Sequence, residues 1–204
     1  MKVLLINGSP HAAGSTYTAL KEVADTLNVE GIETEIIQVG HLAIRGCIGC
    51  GKCFKDKECV FHDVVNEFMP KFEACDGLVV GSPVYYASAN STLTAFLDRL
   101  FYSSRFDKRM KVGASVVSCR RGGNTATFDQ LNKYFTISGM PVASSQYWNM
   151  IHGNNAEQAK LDLEGMQTMR TLARNMAWLL KSTNGKKAPG RPIEEAWEAM
   201  HFIR

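Results

Sequence analysis

The chain opens on a run of four apolar residues and then changes to a helical pattern. Residues 3–6 read Val-Leu-Leu-Ile, which is typical of a parallel strand that is covered on both faces. Beyond Thr16 the apolar side chains recur at a helical spacing, at Leu20, Val23, Ala24 and Leu27. The first unit is therefore predicted to be a buried strand, a loop and a helix with one buried face.

The same alternation of apolar runs and helical patterns continues along the chain. Further strands are expected within residues 34–39, 77–81, 111–118 and 141–150. Further helices are expected over residues 63–74, 91–101, 125–138 and 155–182, with Asp63 and Ser91 as caps and a kink or restart at Pro70. Five strands that alternate with helices predict an α/β protein with a right-handed, doubly wound, five-stranded parallel sheet.

The pattern also predicts where this sheet domain ends. Residues 1–183 form one domain, and residues 184–204 form a C-terminal tail. In this tail, residues 184–192 are a linker rich in Lys, Gly and Pro, and a short helix is expected over residues 193–204. That helix is too small to fold alone, so it would dock on its own domain or on a neighbouring subunit.

Composition narrows the possible functions. The 204 residues are 45% hydrophobic and 21% charged, which is typical of a soluble globular domain. A net charge of +3 is too small to indicate nucleic-acid binding. No apolar segment reaches the roughly 20 residues of a membrane span, and the start lacks a signal-peptide pattern, so we expect a cytoplasmic protein. Six cysteines in such a protein indicate ligands, catalytic groups or core thiols more than disulfides.

The first loop, residues 7–16, has the features of an anion site. It reads Asn-Gly-Ser-Pro-His-Ala-Ala-Gly-Ser-Thr between the carboxyl end of a strand and the amino end of a helix, where free N–H groups favour an anion. It lacks both the nucleoside triphosphate pattern and the dinucleotide fingerprint. The hydroxyls of Ser9, Ser15 and Thr16 with nearby amides suit one phosphate monoester, and the alternative is an ordinary capped helix.

Two later loops leave strands at the same edge of the sheet and can meet the first loop on one ligand. Residues 82–90 offer Tyr85 and Tyr86 as flat surfaces for a planar heterocycle; alternatively these tyrosines are a core or interface pair. Residues 119–124 can bring Arg120 and glycine amides to the edge of such a ring, unless the arginines are only solvated. Residues 152–154, after the last strand, can line the site from the same edge or contact the ligand of a partner subunit.

Two of these segments carry a family resemblance. N-G-S-P-x-x-x-G-S-T and G-S-P-V-Y-Y resemble the phosphate and isoalloxazine loops of the NAD(P)H-dependent FMN reductase superfamily, and the resemblance covers residues 1–150. It implies a flavodoxin-like fold, with FMN bound in the domain of residues 1–183. The implied FMN-binding residues are Ser9, His11, Gly14, Ser15, Thr16, Pro83, Val84, Tyr85, Tyr86, Ser88, Arg120, Gly122 and Gly123. The flavin carries the chemistry, so no catalytic side chain is expected.

The cysteine-rich loop, residues 46–59, has the pattern C-x2-C-x2-C-x5-C. Spacings of two let one loop wrap several thiolates around a small centre, and the intervening glycines supply tight turns. The pattern is similar to that of the iron–sulfur flavoproteins, a branch of the same superfamily, which implies a [4Fe–4S] cluster on Cys47, Cys50, Cys53 and Cys59. The alternatives are structural zinc and unligated thiols.

These inferences lead to one main hypothesis and two rivals. The protein would be an FMN-dependent oxidoreductase that passes electrons from NAD(P)H or a ferredoxin-type donor to a small-molecule acceptor, with an adjacent [4Fe–4S] cluster. The rivals are a non-catalytic electron carrier or redox-sensing module, and a plain NAD(P)H:flavin or quinone reductase without a cluster. The resemblance also implies a homodimer or homotetramer, with the long C-terminal helix and the tail around Trp197 as candidate contacts.

Overall fold

The sheet has five parallel strands. A computed structural model describes residues 1–183 and, in the tail, residues 192, 193, 195, 196 and 198. The parallel strands are β1 (Lys2–Asn7), β2 (Glu33–Gln38), β3 (Gly77–Tyr85), β5 (Val112–Cys119) and β6 (Met150–His152), in the order β2-β1-β3-β5-β6. The short β4 (Ser88–Ala89) pairs antiparallel with the end of β3. The predicted flavodoxin-like α/β fold is confirmed, and strand order reverses between β1 and β3.

Seven helices surround the sheet in the described part of the chain. They are α1 (Ser15–Val29), α2 (Cys53–Asp56), α3 (Val64–Ala74), α4 (Ser91–Ser103), α5 (Asn124–Ile137), α6 (Ala156–Leu161) and α7 (Leu163–Thr183). Side chains of β1 alternate between the two faces of the sheet. Val3 and Leu5 belong to the core with α1 and α7, whereas Leu4 and Ile6 belong to the core with α3 and α4. The four residues are fully buried, as the unbroken apolar run predicted.

The prediction of one long helix over residues 155–182 was wrong. The structure has two helices, α6 and α7, separated by Asp162. The Asp162 carboxylate accepts hydrogen bonds from the main-chain N–H of Gly165 at 2.9 Å and of His152 at 2.7 Å. An aspartate that satisfies the N–H groups of the following turn starts a new helix at that point.

The last strand was also misplaced. Regular pairing begins only at Met150, and the earlier part of residues 141–150 touches the sheet through a single bridge between Val142 and Gly113. The segment between these two points is held by isolated main-chain and side-chain hydrogen bonds. Asn149, for example, donates from Nδ2 to the Ser115 carbonyl at 3.0 Å.

The segment of residues 82–90, expected to be a loop, is a hairpin. Strand β3 continues to Tyr85, and the chain returns as β4 through Tyr86 and Ala87, which have φ angles of 51° and 57°. The cap of α4 is Asn90, not Ser91, because the Asn90 side chain accepts from the Thr92 N–H at 3.1 Å.

Two further helix predictions have clear outcomes. Asp63 caps α3 as expected, by accepting from the Val65 N–H at 3.0 Å. Pro70 lies inside α3, which runs on to Ala74 without a restart.

The predicted helix of residues 193–204, with Trp197, falls mostly outside the described residues. In the described part of the chain, the helices are too short or too polar to cross a membrane.

A close approach of two backbones supports the first loop. Gly40 follows β2 and donates its N–H to the Asn7 carbonyl at 3.2 Å. A Cβ atom at this position would lie 2.2 Å from the Gly8 oxygen and 2.3 Å from the Ser9 carbonyl carbon. Because these are main-chain atoms that cannot rotate away, only glycine fits without moving the loop.

We therefore expect Gly40→Ala to destabilise the protein and to displace the first loop. The cost should be about 3 kcal/mol in the free energy of unfolding, the upper end for an overpacked site. Urea unfolding followed by circular dichroism measures this change. The matched control is Gly46→Ala, since a Cβ there meets nothing within 4 Å. Equal stabilities of the two variants would contradict the assignment.

Candidate functional site

The carboxyl ends of β1, β3 and β5 open into one cleft of about 790 Å³, which we call the edge cleft. It lies at the edge where ligands bind in open parallel sheets. The sequence-predicted residues that line it are Ser9, His11, Gly14, Ser15, Thr16, Pro83, Val84, Tyr85 and Arg120. The structure thus brings together residues from three separate loops.

The amino end of α1 opens into the edge cleft. Gly14 is the residue before the helix and has an extended backbone, with φ −85° and ψ −165°, and no side chain to cap the helix. The first bond of the helix runs from the Thr18 N–H to the Gly14 carbonyl at 3.0 Å. The N–H groups of Ser15 and Thr16 therefore have no carbonyl partner within the helix, and the helix dipole adds positive potential there.

The hydroxyl groups of the first loop bind neighbouring parts of the protein. Ser9 accepts from the His11 N–H at 3.1 Å, and Thr16 shares a 2.7 Å hydrogen bond with the Ser118 hydroxyl. Ser15 donates to the carbonyls of Gly153, at 3.2 Å, or Asn155, at 3.0 Å. These bonds hold the loop against β5 and the segment after β6. The donors that the loop offers to an anion are therefore chiefly its main-chain amides.

Four predicted residues lie beside the edge cleft and do not line it. Tyr86 is fully exposed at the tip of the hairpin. The Ser88 hydroxyl donates to Gln130 on α5 at 2.8 Å. Gly123 caps α5 at a φ of 88°, and a Cβ there would lie 2.8 Å from the Ala87 Cα. Gly122 faces open space. Ser88 and Gly123 thus seat the hairpin on α5.

Sequence reasoning predicted only part of one wall of the edge cleft. The lining residues outside the predicted site are Pro10, Ala12, Ala13, Ser118, Cys119, Gly153, Asn154, Asn155, Ala156 and Glu157. Of the residues 152–154 named from the sequence, Gly153 and Asn154 line this edge. Asn155, Ala156 and Glu157 were not singled out. The signal for them is the N-x-x-Q pattern, because Asn155 caps α6 by accepting from the Gln158 N–H at 2.9 Å.

The four cysteines of the cysteine-rich loop line one small cavity, the cysteine cavity. Cys47 and Cys50 are exposed, Cys59 is half-buried, and Cys53 is buried on α2, where burial raises its thiol pKa. The cavity measures about 20 Å³, close to the space of one water molecule. Within the residues that the structure describes, no three His, Cys, Asp or Glu side chains are arranged to hold a metal ion.

Arg99 of α4 lies at the base of the cysteine cavity, with a fully buried side chain. Its guanidinium forms a two-point ion pair with Asp63, at 2.7 and 2.9 Å, and its Nε donates to Cys59 Sγ at 3.2 Å. Burial opposes the charge of Arg99, but these hydrogen bonds outweigh it and raise the arginine pKa. Nothing in the local sequence pattern singles out this arginine.

Comparison with known proteins relates the chain to flavoproteins. The family model described as NADPH-dependent FMN reductase matches residues 1–155. An iron–sulfur flavoprotein of Methanocaldococcus jannaschii is 33% identical over 193 residues, covering 89% of this chain and 98% of the relative. An iron–sulfur flavoprotein of Methanosarcina thermophila is 30% identical over 186 residues, covering 89% and 96%.

Solved structures with this fold include a quinone oxidoreductase and a flavodoxin. An NAD(P)H:quinone oxidoreductase from Methanothermobacter marburgensis superposes with a TM-score of 0.66 at 13% identity, over 86% of this chain and 96% of that one. An archaeal flavodoxin superposes with a TM-score of 0.60 at 15% identity, over 89% and 99%. At these identities the likeness establishes the fold.

The burial of the six thiols predicts their order of alkylation in reduced, metal-free protein. Exposed Cys47 and Cys50 should react first, half-buried Cys59 next, and buried Cys53, Cys75 and Cys119 last. Burial raises the pKa of Cys53 and Cys119, so at neutral pH little reactive thiolate forms, and their rates should climb as pH rises. Pulsed iodoacetamide labelling with peptide mass spectrometry measures this order. Equal rates for Cys50 and Cys119 would contradict it.

Proposed function

Because this chain belongs to the NADPH-dependent FMN reductase family, we propose that it is an FMN-dependent oxidoreductase. It passes electrons from NAD(P)H or a ferredoxin-type donor to a small-molecule acceptor. The observation that carries the proposal is the uncapped amino end of α1 at the edge cleft. The cleft volume of about 790 Å³ is within the range of cofactor sites.

The phosphate end of the proposed site is the first loop. The amides of Ser15 and Thr16 lack helical partners, so a phosphate group there would receive charge-assisted hydrogen bonds together with the favourable helix dipole. Ser9, His11 and Gly14 line the same end of the edge cleft. The hydroxyls of the loop already hold the loop in one conformation. Phosphate binding therefore does not have to order the loop.

The ring end of the proposed site is formed by the hairpin and the loop after β5. Pro83, Val84 and Tyr85 offer apolar and aromatic surface to a flat ring. Arg120 supplies positive charge, which favours a reduced, anionic ring. Tyr86, Ser88, Gly122 and Gly123 do not line the edge cleft. Of these, Ser88 and Gly123 contribute by fixing the hairpin on α5.

FMN, when bound, supplies hydride and single-electron chemistry that amino-acid side chains lack. The protein supplies binding, orientation and charge. We assign no general acid or base, in keeping with the sequence-based expectation.

We further propose that Cys47, Cys50, Cys53 and Cys59 hold a [4Fe–4S] cluster. The four thiols line one cavity, and four thiolates are the usual ligand set for such clusters. Gly49 and Gly51 have φ angles of 65° and 69°, which give the tight turns that a compact motif needs. Since the cysteine cavity measures only about 20 Å³, the four thiols have to move apart to receive a cluster.

Anaerobic reconstitution with FMN, iron and sulfide tests the whole proposal. We expect flavin absorbance over a broad brown shoulder, and oxidation of NADH or NADPH with a quinone as acceptor. Protein that takes up no flavin would refute the proposal. Flavin uptake without turnover of the quinone from either NAD(P)H or reduced ferredoxin would favour a non-catalytic electron carrier. Turnover without iron would favour a plain reductase. Light scattering on the same sample tests the expected homodimer or homotetramer.

A second test isolates the amides of the first loop. Proline is accepted at the first position of a helix, and the extended backbone of Gly14 is compatible with a following proline. Ser15→Pro therefore deletes one N–H and the hydroxyl, whereas the matched control Ser15→Ala deletes the hydroxyl alone. We expect Ser15→Pro to bind FMN about tenfold more weakly than Ser15→Ala, the loss of about one charge-assisted hydrogen bond.

Flavin fluorescence titration gives the two dissociation constants, and thermal unfolding of the flavin-free proteins checks that both variants fold. Equal affinities would show that the Ser15 amide does not bind the phosphate.

A further inference from the structure

We infer that Arg99 is a positioning residue for the cysteine cavity: its Nε–H···S hydrogen bond holds Cys59 as a preset ligand and raises the reduction potential of the centre bound there. The inference rests on the iron–sulfur cluster of the proposed function. It assigns to α4 a role that neither the cysteine motif nor the family match specifies.

The hydrogen bonds of Arg99 leave its guanidinium a single orientation. The group has five N–H bonds, and five acceptors surround it. Besides Cys59 Sγ at 3.2 Å and the two oxygens of Asp63, the carbonyls of Arg45 and Phe61 each accept at 3.2 Å. The guanidinium carbon also lies 5.1 Å from the centre of the Phe61 ring. Since every donor has a partner, the Nε–H direction toward sulfur is fixed.

Asp63 limits the effect of Arg99 on Cys59 to that of a hydrogen bond. Its carboxylate pairs with Arg99 at two points and also accepts from the Val65 N–H at 3.0 Å, so it is held on both sides. The ion pair neutralises most of the arginine charge where it lies. The influence of Arg99 on Cys59 is therefore carried mainly by the local N–H dipole that points at the sulfur.

The main chain of Cys59 is fixed as firmly as its sulfur. The Asn66 side chain accepts from the Cys59 N–H and donates to the Cys59 carbonyl, both at 2.9 Å. Cys47 and Cys50, in contrast, are exposed in a segment without regular secondary structure. The structure thus prepares one ligand in advance, and the others can close around a centre that Cys59 has already bound.

An N–H bond to a ligating sulfur has a defined electrochemical effect. Reduction adds one electron to a cluster without breaking a bond, and the added charge is shared by the ligating sulfurs. A donor aimed at sulfur stabilises that charge and raises the potential. Arg99 thereby raises the reduction potential of a centre bound by Cys59. It adds little net charge to the site, because its guanidinium is paired with Asp63.

The same helix connects this site to the edge cleft. Helix α4 begins after Asn90, whose side chain donates to the Gly8 carbonyl at 2.7 Å and whose N–H donates to the Ser82 hydroxyl at 3.0 Å. Arg99 follows nine residues later, about 13 Å along the helix axis. One rigid element therefore holds the first loop, the hairpin and the Cys59 sulfur in fixed relation.

The test compares two substitutions with opposite expected signs in the reconstituted, full-length protein. Arg99→Gln removes the N–H···S bond and should lower the equilibrium constant for cluster reduction about tenfold, a shift of about 59 mV to lower potential. Asp63→Asn keeps a capping residue but leaves the guanidinium charge uncompensated, so it should raise the potential. Arg170→Gln, which breaks a remote ion pair with Glu22, is the matched control and should leave it unchanged. Redox titration followed by electron paramagnetic resonance measures the potentials.

Iron, sulfide and flavin analyses separate the possible failures. An intact cluster with an unchanged potential in Arg99→Gln overturns the inference, and so does a shift of both variants in the same direction, since lost packing alone would do that. If Arg99→Gln does not fold, Arg99→Lys replaces it in the comparison with Asp63→Asn. The inference then requires that these two variants shift the reduction potential in opposite directions. Wild-type protein that takes up flavin but no iron overturns both the cluster and this inference, while the flavin site of the proposed function stands.

Discussion

Burial of the central strands on both faces is the constraint on which the rest of the structure depends. Leu4 and Ile6 need a cover on one side of β1, while Val3 and Leu5 need one on the other. Helices must therefore lie on both faces of the sheet, and each must be joined to its strand by a loop at the sheet edge. The carboxyl ends of β1, β3 and β5 then meet, and their loops form the edge cleft. The position of the site is thus a consequence of hydrophobic burial.

Much of this could be predicted from the sequence because the signals are local. The apolar run of β1, the loop before α1 and the cysteine spacing each involve residues within a few positions of one another. The hairpin was missed because its turn residues, Tyr86 and Ala87, are not the Asn-Gly or Asp-Gly types that announce such turns, although both have positive φ. The break at Asp162 was missed because one of its partners, the His152 N–H, lies in the preceding strand.

Long-range contacts account for the features of the site that the sequence did not predict. Arg99 occupies an ordinary polar place in the pattern of α4, and nothing near it in sequence predicts a fully buried side chain. Its partners Asp63 and Cys59 are 36 and 40 residues away. Likewise, Ser15 was predicted as a phosphate ligand from its neighbours, whereas its hydroxyl binds carbonyls near the end of the sheet domain. Side chains that join distant segments are the residues that a pattern of local spacing cannot assign.

The bonds between Ser15 and the carbonyls of Gly153 and Asn155 span 138 and 140 residues. One wall of the edge cleft therefore does not exist until synthesis has passed Asn155. A nascent chain that has β1 and α1 but not yet this segment cannot enclose a prosthetic group. Loading is consequently a late event in biogenesis, and truncated translation products would leave the first loop open to solvent.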